Sequence, residues 1–475
     1  MKNLDRRNFI KKASLSGAAI TLGGMLPNYA NNNPIFDHTG QYMGDFSAPK
    51  LDKVRIAVIG VGARGSGHAR QLASIEGTEI VAISDLYEDL AKKSADKCVE
   101  IGKGKRHKKI ALYHGAEDNW RTMLDEVKPD AVFIATNWKN HAPMAIEAMK
   151  KGAHAFVEVP IAVTLEEMWD IVITSEQTKK HCMMMENVNY GREELLYLNM
   201  CRQGVVGDLL HAEAAYIHEL RGQMNQQERG TGSWRTPHYA HRNGNLYPTH
   251  GLGPVAQYMN LARGEDNFNS LVSFSTPALG RKAYADKNYA EDHKWNKLDY
   301  KGGDMNTSII KTTLGRTIMI QWDETSPRPY SRHNLVQGTK GALAGFPTRV
   351  ALEGGVDAGV NKDGDEIGTK NHHSWAQGDQ LAKIYEKYEH PLYKRVGELA
   401  KKMGGHGGMD FMMLFRIVEC LRNGEPLDQN VYEGCHWSAV APLSEKSVAQ
   451  GGAPQAFPDF TRGKWKNTQP LSILK

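Results

Sequence analysis

Residues 53–65 read Lys-Val-Arg-Ile-Ala-Val-Ile-Gly-Val-Gly-Ala-Arg-Gly, and residues 79–85 read Glu-Ile-Val-Ala-Ile-Ser-Asp. The run 54–59 is short and mainly apolar, suited to a buried parallel strand, and Gly60, Gly62 and Gly65 follow it in G-x-G-x-x-G spacing. In such a turn the first glycine permits the tight bend and the second lets a pyrophosphate approach the backbone. The third lets the next helix pack closely with its N-terminus toward the phosphates. A helix is expected over 65–76 and a second strand over 79–83. Asp85 ends that strand, twenty positions after Gly65. A carboxylate there accepts hydrogen bonds from the adenosine ribose and repels a 2′-phosphate, so the expected cofactor is NAD rather than NADP.

Further along, strands at 110–113, 130–135, 154–157 and 182–185 alternate with helical stretches such as 140–150 and 165–178. The expected fold class is α/β: a Rossmann-type doubly wound parallel sheet, forming an NAD-binding domain over 52–188. After 189 the rhythm changes to a helix at 192–203 and strands at 208–217, 270–276, 308–313 and 317–323. Leu314-Gly315-Arg316 joins the last two as a hairpin, and Ile318, Ile320 and Trp322 alternate with Thr317, Met319 and Gln321. A substrate-binding α+β domain with a largely antiparallel open sheet is expected over 189–475, and that sheet offers a surface for a homo-oligomer. Residues 282–303 and 354–373 are polar and read as irregular.

Residues 1–30 read as a removable targeting segment followed by a linker over 31–51. Asp5-Arg6-Arg7-Asn8-Phe9-Ile10-Lys11-Lys12 precedes an apolar, glycine-rich run, 13–26, that is too short to span a bilayer. The order resembles a twin-arginine export signal, which implies periplasmic or other exported localisation of a protein folded around its nucleotide beforehand. This segment holds five basic residues and one acid, so of the formal net charge of +5 only about +1 belongs to the remainder. That balance argues against a nucleic-acid partner, and the basic run 103–109 reads as a solvated insertion. Five cysteines without C-x-x-C spacing read as buried thiols, with no metal site and no disulfide framework.

In an open α/β sheet the ligand lies beyond the carboxyl ends of the strands. There the chain places Asn137-Trp138-Lys139-Asn140-His141, Glu158-Val159-Pro160 and Glu186-Asn187. Trp138 and His141 suit the nicotinamide half of the cofactor, Glu158 its ribose, and Asn187 its carboxamide. Each has a plainer alternative, Trp138 as core and His141 as the cap of the following helix.

These strand ends, with the glycine fingerprint and the later sheet, resemble the glucose-fructose oxidoreductase and inositol dehydrogenase superfamily. Tyr216-Ile-His-Glu-Leu-Arg221, Trp234-Arg235, the string from Arg242 through Asn-Leu-Tyr-Pro-Thr-His-Gly to Gln257, His406-Gly-Gly-Met-Asp410 and Pro458-Asp-Phe-Thr-Arg462 resemble, more narrowly, glycoside hydrolase family 109. The resemblance runs from Lys53 to Trp465 and implies an NAD-dependent α-N-acetylgalactosaminidase. It implies NAD contacts from Ala63, Arg64, Asp85, Trp138, Lys139, Asn140, His141, Glu158, Val159 and Asn187. It implies sugar contacts from Tyr216, Arg235, Tyr247, Pro248, Thr249, His250 and Tyr330. Ordinary dehydrogenases of the superfamily have Glu-Lys-Pro where this chain has Glu158-Val159-Pro160, and Val159 cannot exchange a proton. His250, read as a loop residue with Gly251 and Gly253 beside it, and Tyr330 are therefore the expected catalytic acid/base groups.

The implied reaction is redox-neutral: C3 of the sugar is oxidised, the acidified C2 proton leaves, the C1 substituent is eliminated, water adds and C3 is reduced again. It replaces the carboxylate pair of most glycosidases. A sugar or polyol oxidoreductase with freely exchanging NAD, and a non-catalytic binding protein on the same fold, are the alternatives. Replacing Arg6 and Arg7 by Lys is expected to hold the precursor in the cytoplasm of cells with a working twin-arginine pathway. Undiminished export in a fractionation assay would contradict that reading.

Overall fold

The computed structural model describes residues 40–353, 374–376 and 378–472. The expected export segment, the start of the linker and the polar stretch 354–373 lie outside the described residues. Six parallel strands form the first sheet: β1 (Val54–Ile59), β2 (Thr78–Ser84), β3 (Ala111–Tyr113), β4 (Ala131–Ile134), β5 (His154–Val157) and β6 (Cys182–Met184). Their order is β3-β2-β1-β4-β5-β6, so the winding direction reverses between β1 and β4, where a crevice must open. β4 and β5 are buried at every residue, which is why they read as unbroken apolar runs rather than alternating ones. The helix Leu165–Thr178 occupies its expected span and starts in a capping box between Thr164 and Glu167.

The insertion at 103–109 is only partly solvated. Its lysines are exposed, but His107 is buried, accepting from the Ile80 amide (3.0 Å) and lying 2.9 Å from the Ala73 carbonyl oxygen. The basic run is thus pinned to the sheet by one ring that its composition hid.

The second sheet has eight strands: β7 (Leu209–Ile217), β8 (Phe268–Ser275), β9 (Met305–Thr312), β10 (Thr317–Asp323), β11 (Leu335–Gly338), β12 (Gly341–Ala344), β13 (Arg349–Leu352) and β14 (Gln455–Ala456). Their order is β13-β12-β11-β7-β10-β9-β8-β14. β9 and β10 form the expected hairpin, with Gly315 at φ +86° supplying the left-handed turn. Ile318, Ile320 and Trp322 are buried. β7 pairs in parallel with β10, the exception to the antiparallel pattern, and β11 to β14 are too short for alternation to reveal them.

Two expectations of irregular structure fail. Residues 280–288 form a helix whose Ala285 packs with Met224 and Trp295 in a small separate core. Likewise, the Thr249-His250-Gly251-Leu252-Gly253 segment, read as a loop, opens the helix Thr249–Tyr258. Its glycines explain why. A Cβ on Gly251 would collide with the Ala215 backbone, and one on Gly253 would lie 2.7 Å from Asn189 Oδ1, so glycine lets this helix lie against β7 and the end of β6. The C-terminal helix Val431–Ala449 packs against both β6 and β8. All five cysteines are free thiols, four of them buried. Among the described residues no helix is long and apolar enough to cross a membrane, and no group of three or more His, Cys, Asp or Glu is arranged to hold a metal.

Candidate active site

A cleft of about 500 Å³ opens at the carboxyl ends of β1, β2, β4 and β5, a size within the range of ligand pockets. From the sequence-derived set it is lined by Gly60, Gly62, Ala63, Arg64, Asp85, Trp138, Lys139, Asn140, His141, Glu158, Val159 and Arg235. Gly65 stands behind the turn, where any Cβ would collide with the Gly60 carbonyl. Asp85 holds the turn from the second strand, accepting from the amides of Val61 (2.8 Å) and Tyr87 (3.1 Å). It braces the glycine turn as well as facing the expected ribose. Trp138 Nε1, Asn137 Oδ1 and Arg235 Nε are buried without a protein partner, leaving polar valences at the cleft that a polar ligand would satisfy. Size, glycine turn, Asp85 and these orphaned atoms together fit a dinucleotide.

Gly62 is not simply open to a ligand. A segment between β7 and the following helix crosses it: Gly230 O accepts from the Ala63 amide (2.9 Å) and would stand 2.6 Å from a Gly62 Cβ. Arg229 fastens this strap to the nucleotide-binding half through Asp89 (2.9 Å) and by stacking 4.5 Å above Tyr87.

Two expected cofactor contacts are already occupied. Glu158, assigned to the ribose, is nearly buried, and its Oε1 takes Arg64 Nε at 2.7 Å and His68 Nε2 at 2.6 Å. Burial would raise its pKa, but the charges and hydrogen bonds of Arg64 and His68 outweigh that and hold it well below the usual carboxylate range. His141 is no free acid/base group. Its ring is buried with Nδ1 2.7 Å from Pro160 O and Nε2 3.1 Å from Thr136 O, so it braces the strand ends, and burial lowers its pKa. Trp138 settles between its two readings: it is fully buried and also lines the cleft.

Arg64 continues the network to Asp410, donating from Nη1 (2.6 Å) and Nη2 (3.0 Å). Asp410 also receives Asn187 Nδ2 at 2.7 Å, which ties up the amide group expected at the carboxamide and leaves Asn187 Oδ1 buried and unpartnered. His406 Nδ1 lies 2.9 Å from Asp410 Oδ2 and 3.0 Å from Arg64 Nη1, on a loop in which Gly404, Gly405, Gly407 and Gly408 all have positive φ. Burial alone would raise the Asp410 pKa, but His406 and Arg64 together push it well below its ordinary value.

The expected sugar residues form a second cluster joined to the cleft. Tyr247 lies 6.1 Å from Trp138 between ring centroids, and the Arg235 guanidinium sits 5.5 Å from Tyr247 and 5.6 Å from Trp138. Around Tyr247, Tyr216 lies at 4.8 Å and His250 at 5.0 Å, with 5.2 Å between Tyr216 and His250. Pro248 and Thr249 start the helix that carries His250, and Thr249 Oγ1 is buried without a partner. Tyr330 closes the set 6.2 Å from Tyr216, more exposed than the others, its hydroxyl accepting from Arg332 Nη1 at 2.7 Å. Burial is the first cause raising the pKa of Tyr216, Tyr247 and Tyr330, so all three hydroxyls stay protonated near neutral pH and act as hydrogen-bond donors.

His250 differs from them. Its Nδ1 lies 2.6 Å from Oε1 of Glu186, a fully buried carboxylate at the end of β6. This partner fixes Nδ1 as the protonated nitrogen and leaves Nε2 as a base. Glu186, Asp410, His68 and His406 were not assigned roles from the sequence. Glu186 had a visible signal, a carboxylate next to Asn187 at a strand end; the others depend on contacts across the fold.

The C-terminal family description "Glycosyl hydrolase 109, C-terminal domain" matches residues 190–467, and "Oxidoreductase family, NAD-binding Rossmann fold" matches residues 54–186. The chain is 67% identical to "Glycosyl hydrolase family 109 protein 1" of Akkermansia muciniphila over 91% of its length and 87% of the relative's. It is 51% identical to "Glycosyl hydrolase family 109 protein" of Shewanella baltica (strain OS155), with both chains fully covered. Among solved structures it resembles an NAD-binding oxidoreductase from Klebsiella pneumoniae (TM-score 0.64, 15% identity) and levoglucosan dehydrogenase in complex with NADH and levoglucosan (TM-score 0.60, 16% identity). Each similarity covers 86% of this chain and 100% of the other. At such identity the likeness is one of fold.

The Arg64 network predicts an acid-labile component of stability. Glu158 and Asp410 are depressed in the folded state, so their contribution is complete above about pH 5 and is lost as the pH falls below about 4. Asp410→Asn is expected to unfold in urea with about 2 kcal/mol less stability at pH 7 and a shallower loss on acidification. The figure sits below that for a fully buried pair because Arg64 keeps 31% of its side chain exposed. Parallel pH profiles for parent and variant would contradict this.

Proposed function

Since the chain belongs to glycosyl hydrolase family 109, we propose that it removes terminal α-linked N-acetylgalactosamine, or a closely related sugar, by transient oxidation at C3. Elimination of the C1 substituent, addition of water and re-reduction complete the cycle. Bound NAD supplies a reversible two-electron acceptor for C3. The observation that carries this reading is how the carboxylates near His250 are used. A conventional glycosidase needs two carboxyl groups free to flank the scissile bond. Here Glu158 is consumed by Arg64 and His68, and Glu186 by His250.

The protein's own groups divide the remaining work. Trp138, Asp85 and the glycine turn would hold the dinucleotide, and the strap at Gly230 lies across that turn. Tyr216 and Tyr247 present ring faces to the sugar and Tyr247 a protonated hydroxyl, with Arg235 beside them; the Tyr216 hydroxyl is paired with His218 Nδ1 at 3.0 Å. His250 Nε2, backed by Glu186, takes the proton from C2. Tyr330, the most exposed ring of the set, donates to the sugar. His406, largely exposed on its glycine loop, protonates the departing oxygen.

An assay of p-nitrophenyl glycosides, followed at the nitrophenolate band and at 340 nm, tests the proposal. Release of nitrophenol from the α-N-acetylgalactosaminide without net NADH is expected, and His250→Ala should slow it by about 10² to 10⁴-fold with NAD still bound. Stoichiometric NADH, or a near-parental rate in His250→Ala, would contradict it.

A further inference from the structure

Beyond the buried rings of the sugar site, the turn between β12 and β13 presents Phe346 to solvent with 36% of its surface exposed, beside Tyr330 at 39%. Tyr247 and Tyr216, by contrast, are exposed by only 6% and 8%, so a line of rings runs from Tyr247, beside Trp138 of the cleft, outward to the exposed Phe346. Phe346 adopts φ +54°, in the left-handed region that a bulky side chain rarely occupies. His333 and Asn334 share that region at φ +57° and +50°, and the Gly345 amide binds back to their carbonyls (3.0 and 3.1 Å). Phe346 is thus a bulky residue held in the left-handed region on a turn that the Gly345 amide ties to the segment before β11.

What holds the turn lies beneath it. The Arg332 guanidinium sits 4.8 Å from the Phe346 ring centre and 5.4 Å from that of Tyr330, and it donates to both Tyr330 Oη and Glu194 Oε1 (2.6 Å). Arg332 and Glu194 are buried, so the charge under the rings is matched and the platform is fixed from below. Phe346 meets Tyr330 edge to face at 5.6 Å. About a third of the Phe346 surface stays open to solvent, and the backbone holds the ring there in the left-handed region.

We infer that Phe346 and Tyr330 form a second sugar subsite, which takes the neutral pyranose on the leaving-group side of the scissile bond. The inference rests on the glycosidase reading above. In that reading the terminal sugar lies among Tyr247, Tyr216 and His250 with C3 toward the cleft, and the ring line that continues past Tyr330 to Phe346 is the outward path for the group on C1. The apolar C–H face of a pyranose is the chemistry that an exposed aromatic ring recognises.

The test compares kcat/KM for a disaccharide bearing terminal α-N-acetylgalactosamine on a second pyranose with that for the methyl α-glycoside, in the NAD-loaded parent, Phe346→Ala and Phe346→Trp. The parent's preference for the disaccharide should fall about tenfold in Phe346→Ala, mainly through KM, and return in Phe346→Trp. A ratio unchanged by Phe346→Ala would overturn the subsite. If the parent cleaves neither compound, the glycosidase reading fails and the subsite is judged by calorimetry with the same two ligands. Tighter binding of the disaccharide that Phe346→Ala abolishes would support it, and equal affinities in parent and variant would overturn it.

Discussion

The guanidinium of Arg64 binds together three stretches of chain that are far apart in sequence: the glycine turn after β1, Glu158 at the end of β5 and Asp410 at the start of the helix Met409–Asn423. Two nearly buried carboxylates sharing one cation do not by themselves promise stability, because desolvation offsets much of the attraction. Their effect is geometric. With Asn187 and His406 also on Asp410, the nucleotide turn, the end of β6 and the glycine loop at 404–408 are set in one arrangement. Arg64 and Glu158 also line the cleft.

That arrangement suits the proposed hydrolysis, which needs no free pair of acids. The carboxylates near the sugar cluster are spent on positioning: Glu158 orients Arg64 and His68, and Glu186 fixes His250. Burial keeps the tyrosine hydroxyls protonated, so His250 Nε2 is the natural proton acceptor among the rings it touches. A proton on C2 of a sugar is far too weakly acidic for such a base unless C3 has become a ketone. In the proposed reaction the dinucleotide site and His250 therefore serve the same sugar.

Much of this was legible in the chain, for reasons that can be named. β1, the glycine turn and Asp85 obey a local rule in which each residue has one role, and the strands β4, β5 and β10 follow simple periodicity. What stayed hidden was set by tertiary contacts. His107 and His141 looked polar and available, yet both are buried struts whose partners are backbone groups elsewhere in the fold. The glycines beside His250 suggested a loop because glycine disfavours helix, whereas here they let a helix approach β7 closely. The partnership of Glu186 with His250 spans 64 residues and joins the end of β6 to the helix Thr249–Tyr258, and no spacing rule could have announced it.

The most direct measurement follows hydrogen at C2. If the sugar is oxidised at C3 and loses its C2 proton before the glycosidic bond breaks, turnover in deuterated water places deuterium at C2 of the released sugar, readable by NMR, with no net reduction of NAD. Released sugar carrying only the original hydrogen at C2 would contradict the account, even if the glycoside is hydrolysed.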